Sequence, residues 1–290
     1  MRHAFSVKGQ SVQALVEPSI ASALPCESLD ARCVDGERRR ILRLARLQKL
    51  CGALLFFPFG LAVEALLRFW GGFKITNLAE VRRQFGKLAR SSSPLVICAN
   101  HLTYLDSALI SHALAPSWWY ALHFQKLPWN LPAGDHFKKG IFNRLVAFWF
   151  KCIFIHRDGS KGHKAAVLAA VRELAAEGEP VTIFPEGRRS RVGCIDRQNV
   201  KYGIGKLLSN LECPVVLCLY LRGDRQQEYS RVPPRRSRFH VGVSVIKPLI
   251  PDRREGAYRE LTALVVRELS RLENEHFARS HASYPDQEEP

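Results

Sequence analysis

No Cys-x-x-Cys pair occurs in this chain of 290 residues, and its eight cysteines are scattered without any Cys/His grouping at zinc-ligand spacing. That removes the usual signatures of a zinc module or a disulfide scaffold, and the thiols are expected to be reduced, as in a cytosolic environment. A Gly/Ser-rich linker and an internal repeat are also missing, so one large domain with a sizeable core is expected. Residues 1–36 lack a charged start followed by a clean apolar stretch, the pattern of a cleavable signal peptide. A weakly ordered lead-in is expected over residues 1–37. Acidic residues are scarce, 27 against 43 Lys and Arg, which leaves a formal charge of +16. Such an imbalance favours an anionic partner: a phosphate-bearing substrate, an acidic lipid surface or a nucleic acid. Zinc-finger and RNP-type strings are absent and the arginines are spread along the chain, so no nucleic-acid partner is expected.

A long unbroken apolar run is lacking as well. Residues 50–63 form a run that resumes at Ala65-Leu66-Leu67 and Phe69-Trp70, but Glu64 and Arg68 interrupt it and Pro58 is expected to kink it. A simple transmembrane helix needs about 20 consecutive apolar residues, and shorter runs mark buried, re-entrant or interfacial segments. Arg38, Arg39, Arg40, Arg43, Arg46 and Lys49 crowd the start of the run, where anionic headgroups on the cytoplasmic side would attract them. Residues 38–75 are therefore expected to be a membrane-associated helical segment, peripheral or monotopic, on the cytoplasmic face of the cell membrane. The plainer alternative is a core helix with a solvated arginine face.

What the chain does contain is organised around Ala99-Asn100-His101-Leu102-Thr103-Tyr104-Leu105-Asp106, directly after the apolar run 95–98. A buried strand that ends in a polar turn presents side chains to a site. His101 can exchange a proton near neutral pH, and Asp106 can accept a hydrogen bond from the other ring nitrogen and fix the tautomer. On a regular helix residues five apart point about 140° away from each other. The pair can meet only if the chain turns between them, with Asp106 near the start of a helix through residues 107–110.

Downstream, residues 77–90 read as a short helix, residues 118–122 and 153–155 as strands, and residues 128–135 as a loop. The aromatic run 147–150 reads as core or as a wall for an acyl chain. Ser160 can cap a helix whose apolar positions Val167, Leu168, Val171, Leu174 and Ala175 recur at helical spacing and end at Gly178. Residues 181–184, 215–219 and 240–246 read as further strands. An amphipathic helix carrying Leu261, Leu264, Val265, Leu269 and Leu272 closes the chain before a tail at 281–290. Interleaved strands and helices predict an α/β fold, a layered mixed sheet flanked by helices, over residues 76–280.

Three strand ends carry site-like residues: Asn100 and His101, Arg157, and Glu186, Gly187 and Arg189. In open α/β sheets such ends line one crevice. Gly187 lets backbone approach an anion, while Arg157 and Arg189 offer forked donors for phosphate oxygens. Glu186 can hold an arginine or a substrate hydroxyl. A base beside an arginine-lined phosphate pocket suits transfer onto a hydroxyl of a phosphorylated acceptor.

Asn100-His101-x-Thr103-x-x-Asp106 resembles the His-x4-Asp block of the glycerophospholipid acyltransferase family, whose 1-acylglycerol-3-phosphate acyltransferases are the nearest members. Phe184-Pro185-Glu186-Gly187-x-Arg189-Ser190 is similar to the family's Phe-Pro-Glu-Gly-Thr-Arg-Ser block, with Arg188 in the place of Thr. Phe154-Ile155-x-Arg157 resembles its arginine motif, and Cys213-Pro214-Val215-Val216 its late strand. The blocks occur in family order over residues 95–221. The resemblance implies that His101 is a general base oriented by Asp106, and that Arg157, Glu186, Gly187 and Arg189 hold the phosphate of a lysophospholipid acceptor. It implies acyl-CoA or acyl-carrier protein as co-substrate, with neither cofactor nor metal. Another lysolipid such as lyso-ornithine lipid, a noncatalytic lipid-binding relative, and a thioesterase stay open as alternatives.

Overall fold

A computed structural model of the chain describes residues 26–134, 140–156, 159–226, 230–250 and 256–283. Helix α1, Cys26–Ala65, runs into a π-helical turn, Leu66–Trp70. Strand β1, Lys74–Ile75, and helix α2, Leu78–Ala89, follow, then strand β2, Leu95–Ala99. Helices α3, Asp106–Leu114, and α4, Ser117–Leu122, precede strand β3, Trp129–Asn130. Helices α5, Ile141–Trp149, and α6, Lys161–Ala176, lead to strand β4, Val181–Ile183. Then come helix α7, Gly203–Leu208, strands β5, Val215–Tyr220, β6, Arg238–Phe239, and β7, Gly242–Ile246, and helix α8, Ala257–Ser283.

The main sheet has the order β3-β4-β2-β5-β7; its first four strands are parallel and β7 is antiparallel to β5. Strand β1 pairs in parallel with β6 in a separate two-stranded sheet. Strands β2 and β5 are apolar throughout because both sheet faces are covered. Val96, Cys98, Val216, Cys218 and Tyr220 pack with α6, α7, α8 and with Leu42 and Ala45 of α1. Leu95, Ile97, Val215, Leu217 and Leu219 face the other way, onto α2, α3, α4 and Phe56 and Leu67 of the α1 arm. The result is the layered α/β architecture expected from the alternation of elements.

Helix α1 serves both layers because it is bent. Its limbs Ala31–Ala53 and Leu55–Trp70 meet at 76°, and only together do they have the length and apolar composition of a membrane span. No single described helix does. The bend falls where it should: Pro58 lacks the N–H that would bond the carbonyl of residue 54, and its ring crowds that carbonyl. Just before it, Gly52 presses against Phe124, whose ring would lie 2.1 Å from an added Cβ.

A buried ionic network fastens this bend beside edge strand β3. Lys49 reaches Glu179 at 2.6 Å, and Glu179 also takes Lys151 Nζ and Trp129 Nε1, each at 2.8 Å. Lys151 is fully buried, and burial pushes its ammonium down to about 8 despite Glu179. Burial alone would raise Glu179, but the charges of Lys151 and Lys49 hold it below the ordinary value.

Several expectations change. Residues 118–122 form helix α4, not a strand: Pro116 is extended at its start, and the helical turn seats Tyr120 edge-on to Phe56 and Trp119 edge-on to Phe85. The expected loop at 128–135 contains β3. Residues 153–155 do not make a regular strand. Instead Cys152 and Ile155 form single parallel bridges to Asn130 and Ala133. The expected lead-in is helical from Cys26 onward, and α8 extends to Ser283, into the expected tail. Residues 1–25, 284–290 and Arg157 lie outside the described residues.

Candidate active site

Strands β2, β4 and β5 run in the same direction, so their C-terminal ends open at one edge of the sheet. Asn100 fixes that edge. Its side chain is buried, donates to Leu221 O at 3.0 Å and accepts from Leu221 N at 2.7 Å, tying the end of β2 to the end of β5.

The chain then turns through residues 101–105 and starts α3 at Asp106, which closes the five-residue gap. His101 Nδ1 lies 2.9 Å from Asp106 Oδ2. The same oxygen accepts the N–H groups of Leu102 at 2.6 Å and Thr103 at 2.8 Å, and Oδ1 accepts Thr103 Oγ1 at 2.5 Å. Asp106 is thus a buried acceptor for the turn that leads into its own helix as well as the partner of the imidazole. A carboxylate can only accept, so in the neutral ring Nδ1 carries the proton and Nε2 the lone pair. The His101 side chain is 22 % exposed, so the ring is partly open to the crevice.

The second motif is in contact with the first. Phe184 stacks under the His101 ring, centroids 4.3 Å apart at 22°. Glu186 Oε1 accepts the main-chain N–H of His101 at 3.0 Å, and Ser190 N donates to His101 O at 2.7 Å. Glu186 Oε2 takes the N–H of Asp196 at 3.5 Å. Only 3 % of Glu186 is exposed, and burial pushes its carboxyl up to about 7, against the lowering effect of those two N–H groups. The motif's glutamate therefore faces the protein and joins the two loops.

Gly187 sits at φ +64, the left-handed region a side chain resists, and its own N–H closes the turn onto Phe184 O at 2.9 Å. It contributes an exposed, side-chain-free backbone beside Lys201, whose Cγ would lie 2.8 Å from an added Cβ. Arg189 lays its guanidinium 3.7 Å from the centre of the Tyr104 ring and donates to Ser230 O at 3.4 Å. Arg188 turns outward to Asp196, 3.1 Å away. Of the residues singled out from sequence, His101, Asp106, Glu186, Gly187 and Arg189 converge here; Arg157 is not described. Sequence reasoning gave no role to Phe184, although it belongs to the second motif, or to Tyr104, an unspecified position inside the first.

The arrangement supplies a partly exposed imidazole oriented by a carboxylate and, hydrogen-bonded to its main chain, an exposed glycine turn that carries Arg188 and Arg189. That is equipment for deprotonating a hydroxyl on an anionic molecule. A protein-family model described as Acyltransferase matches residues 73–251, which takes in every element of the main sheet and both motifs.

Proposed function

The chain belongs to the Acyltransferase family, the glycerophospholipid acyltransferases, and from that premise we propose that it moves a fatty acyl group onto a lysophospholipid in phospholipid biosynthesis. O-acyl transfer is the family's chemistry; 1-acylglycerol-3-phosphate is the acceptor proposed here, and acyl-CoA or acyl-carrier protein the donor. His101 Nε2 takes the proton of the acceptor hydroxyl as its oxygen attacks the thioester carbonyl. The C–S bond then breaks, and the phosphopantetheine sulfur leaves as the thiol after receiving a proton. Asp106 holds the ring and offsets the charge of the imidazolium. Arg189, on the Gly187 turn, takes the acceptor's phosphate together with Arg157, and Glu186 keeps that turn against the base. The bent arm, with Leu55, Phe57, Leu61 and Phe69 exposed, holds the enzyme to the cytoplasmic face of the membrane.

The observation that carries this reading is the direct contact of the two loops: an imidazole 2.9 Å from its carboxylate and hydrogen-bonded through its main chain to the Pro-Glu-Gly turn. The test is a panel of lysolipid acceptors with one labelled acyl donor. Lysophosphatidate should be acylated fastest, and His101→Ala should abolish transfer while retaining lipid binding. A preference for lyso-ornithine lipid would change the acceptor. Donor cleavage indifferent to any lysolipid would make the protein a thioesterase.

A further inference from the structure

The segment from Ser230 to Ser237 belongs to neither motif, yet it touches both the active site and the tip of the arm. At one end, Tyr104 N donates to Arg231 O at 3.0 Å and Arg189 donates to Ser230 O. At the other, Arg236 N donates to Gly71 O at 2.6 Å, Arg235 Nε donates to Trp70 O at 2.8 Å, and Lys74 N donates to Ser237 O at 3.2 Å. The Arg235 guanidinium also lies 5.3 Å from the centre of the Trp70 ring. The fit is close, because an added Cβ on Gly72 would meet Arg236 Cγ at 3.0 Å. Pro233 and Pro234 limit the backbone freedom of the loop between these attachments.

The surface so formed has a definite chemistry. Phe69 is 79 % exposed and Trp70 49 %, with Leu66 beside them. Arg68 lies over Phe69 and Arg235 over Trp70, Lys74, Arg231, Arg236 and Arg238 are exposed on the same two segments, and no acidic residue occurs in 66–76 or 230–239. Asp224, the acid bonded to this segment, takes the main-chain N–H of Arg238. Protruding aromatic and aliphatic side chains ringed by arginine suit the boundary between acyl chains and anionic headgroups, where guanidinium groups reach the phosphates as the rings enter the apolar layer. A nucleic acid would match the charge and can stack an unpaired base on Phe69 or Trp70, but it offers Leu66 no apolar layer to enter.

We propose that the Ser230–Ser237 loop and the Leu66–Trp70 tip form one docking face for an anionic bilayer. It is a second point of attachment, at the opposite end of the arm from the basic run at 38–49, and it sets the Arg189 turn at the membrane surface. The inference rests on the acceptor being a membrane lipid. It assigns to a loop outside both motifs the task of presenting that lipid's headgroup side to the site.

The experiment uses the full chain and vesicles made of equal parts phosphatidylcholine and phosphatidylglycerol, against vesicles of phosphatidylcholine alone. An arginine brought to an anionic leaflet is worth about fivefold in partitioning. Arg231→Gln with Arg235→Gln should therefore bind anionic vesicles about 25-fold more weakly and neutral vesicles equally well. Acyl transfer to lysolipid dispersed in neutral detergent should be unchanged. The corresponding double Lys variant, which keeps the charge but loses the guanidinium contacts with Trp70, should bind as the parent does. Anionic-vesicle binding by the Gln variant equal to the parent's, or an equal loss in the Lys variant, overturns the proposal. If the parent acylates no lysolipid, the proposed function fails while the vesicle measurements still decide the docking face.

Discussion

Glu186→Gln isolates one buried ionisation and tests how the two motifs are joined. The parent carboxyl is almost completely enclosed, and its pKa is lifted from 4.5 to about 7 by burial. An acid with a higher pKa folded than unfolded binds more protons in the folded state. Its contribution to stability is complete below pH 4.5 and is lost as pH rises through about 7. That interval corresponds to about 3 kcal/mol. Glutamine cannot ionise, yet it keeps a carbonyl oxygen for the His101 N–H and forfeits only the long bond from Asp196 N. Urea unfolding of both proteins, below pH 4.5 and again above pH 7, should show the variant gaining about 3 kcal/mol on the parent. Other groups titrate in both proteins and cancel in the difference, apart from Glu273 and Asp196, whose charges act on Glu186. Turnover should survive in the Gln variant. In Glu186→Ala it should fall by about tenfold or more, because the His101 N–H loses an acceptor worth about 1–3 kcal/mol. A stability difference that stays flat with pH would refute the reasoning.

Three further outcomes are expected. Asp106→Asn should lower turnover on the order of a hundredfold or more and also reduce the melting temperature, since a neutral amide oxygen accepts the three N–H groups gathered on Oδ2 more weakly than a carboxylate does; loss of turnover with an unchanged melt would contradict the second role. Arg189→Ala should mainly raise the Michaelis constant for the lysolipid, measured against a fixed acyl donor, and an unchanged constant would exclude a phosphate contact. Glu179→Ala should destabilise by about 3–5 kcal/mol in denaturant titration, because it strands the buried Lys151 ammonium; a midpoint equal to the parent's would show that water or another acceptor replaces it.

Much of the frame was legible because it is written in runs and periods. The residues of β2 and β5 are continuously apolar, as a sheet covered on both faces requires, β4 departs from that only at Thr182, and α6 and α8 repeat at helical spacing. The turn between His101 and Asp106 followed from angular arithmetic alone. Strand β3 is two residues long, too short to carry a period. Helix α4 was misread because Trp118, Trp119 and Tyr120 have strand-like content, whereas packing on Phe56 and Phe85 decided the matter. Glu186 was taken to face a ligand. Its acceptor role depends on a main-chain N–H 85 positions earlier, which no local pattern reports. The arm was visible as an apolar segment, but not its double service: Leu42, Phe56 and Leu67 are core residues, so removing residues 1–75 would strip the folded domain as well as any anchor.

The bend in α1 has a consequence for synthesis. Lys49 finds its acid 130 positions later in the chain, and Arg38 finds Glu173 135 positions later. At translation rates of 5–20 residues per second the first helix waits roughly 6 to 26 seconds for those partners to leave the ribosome. Throughout that interval Leu42 and Ala45 lack the completed α6 surface they later lie on, although Phe56 meets Tyr120 and Phe124 sooner. On the proposed membrane reading, that stripe and its basic flank would settle on lipid first, and the bilayer would be the first template on which this protein takes shape.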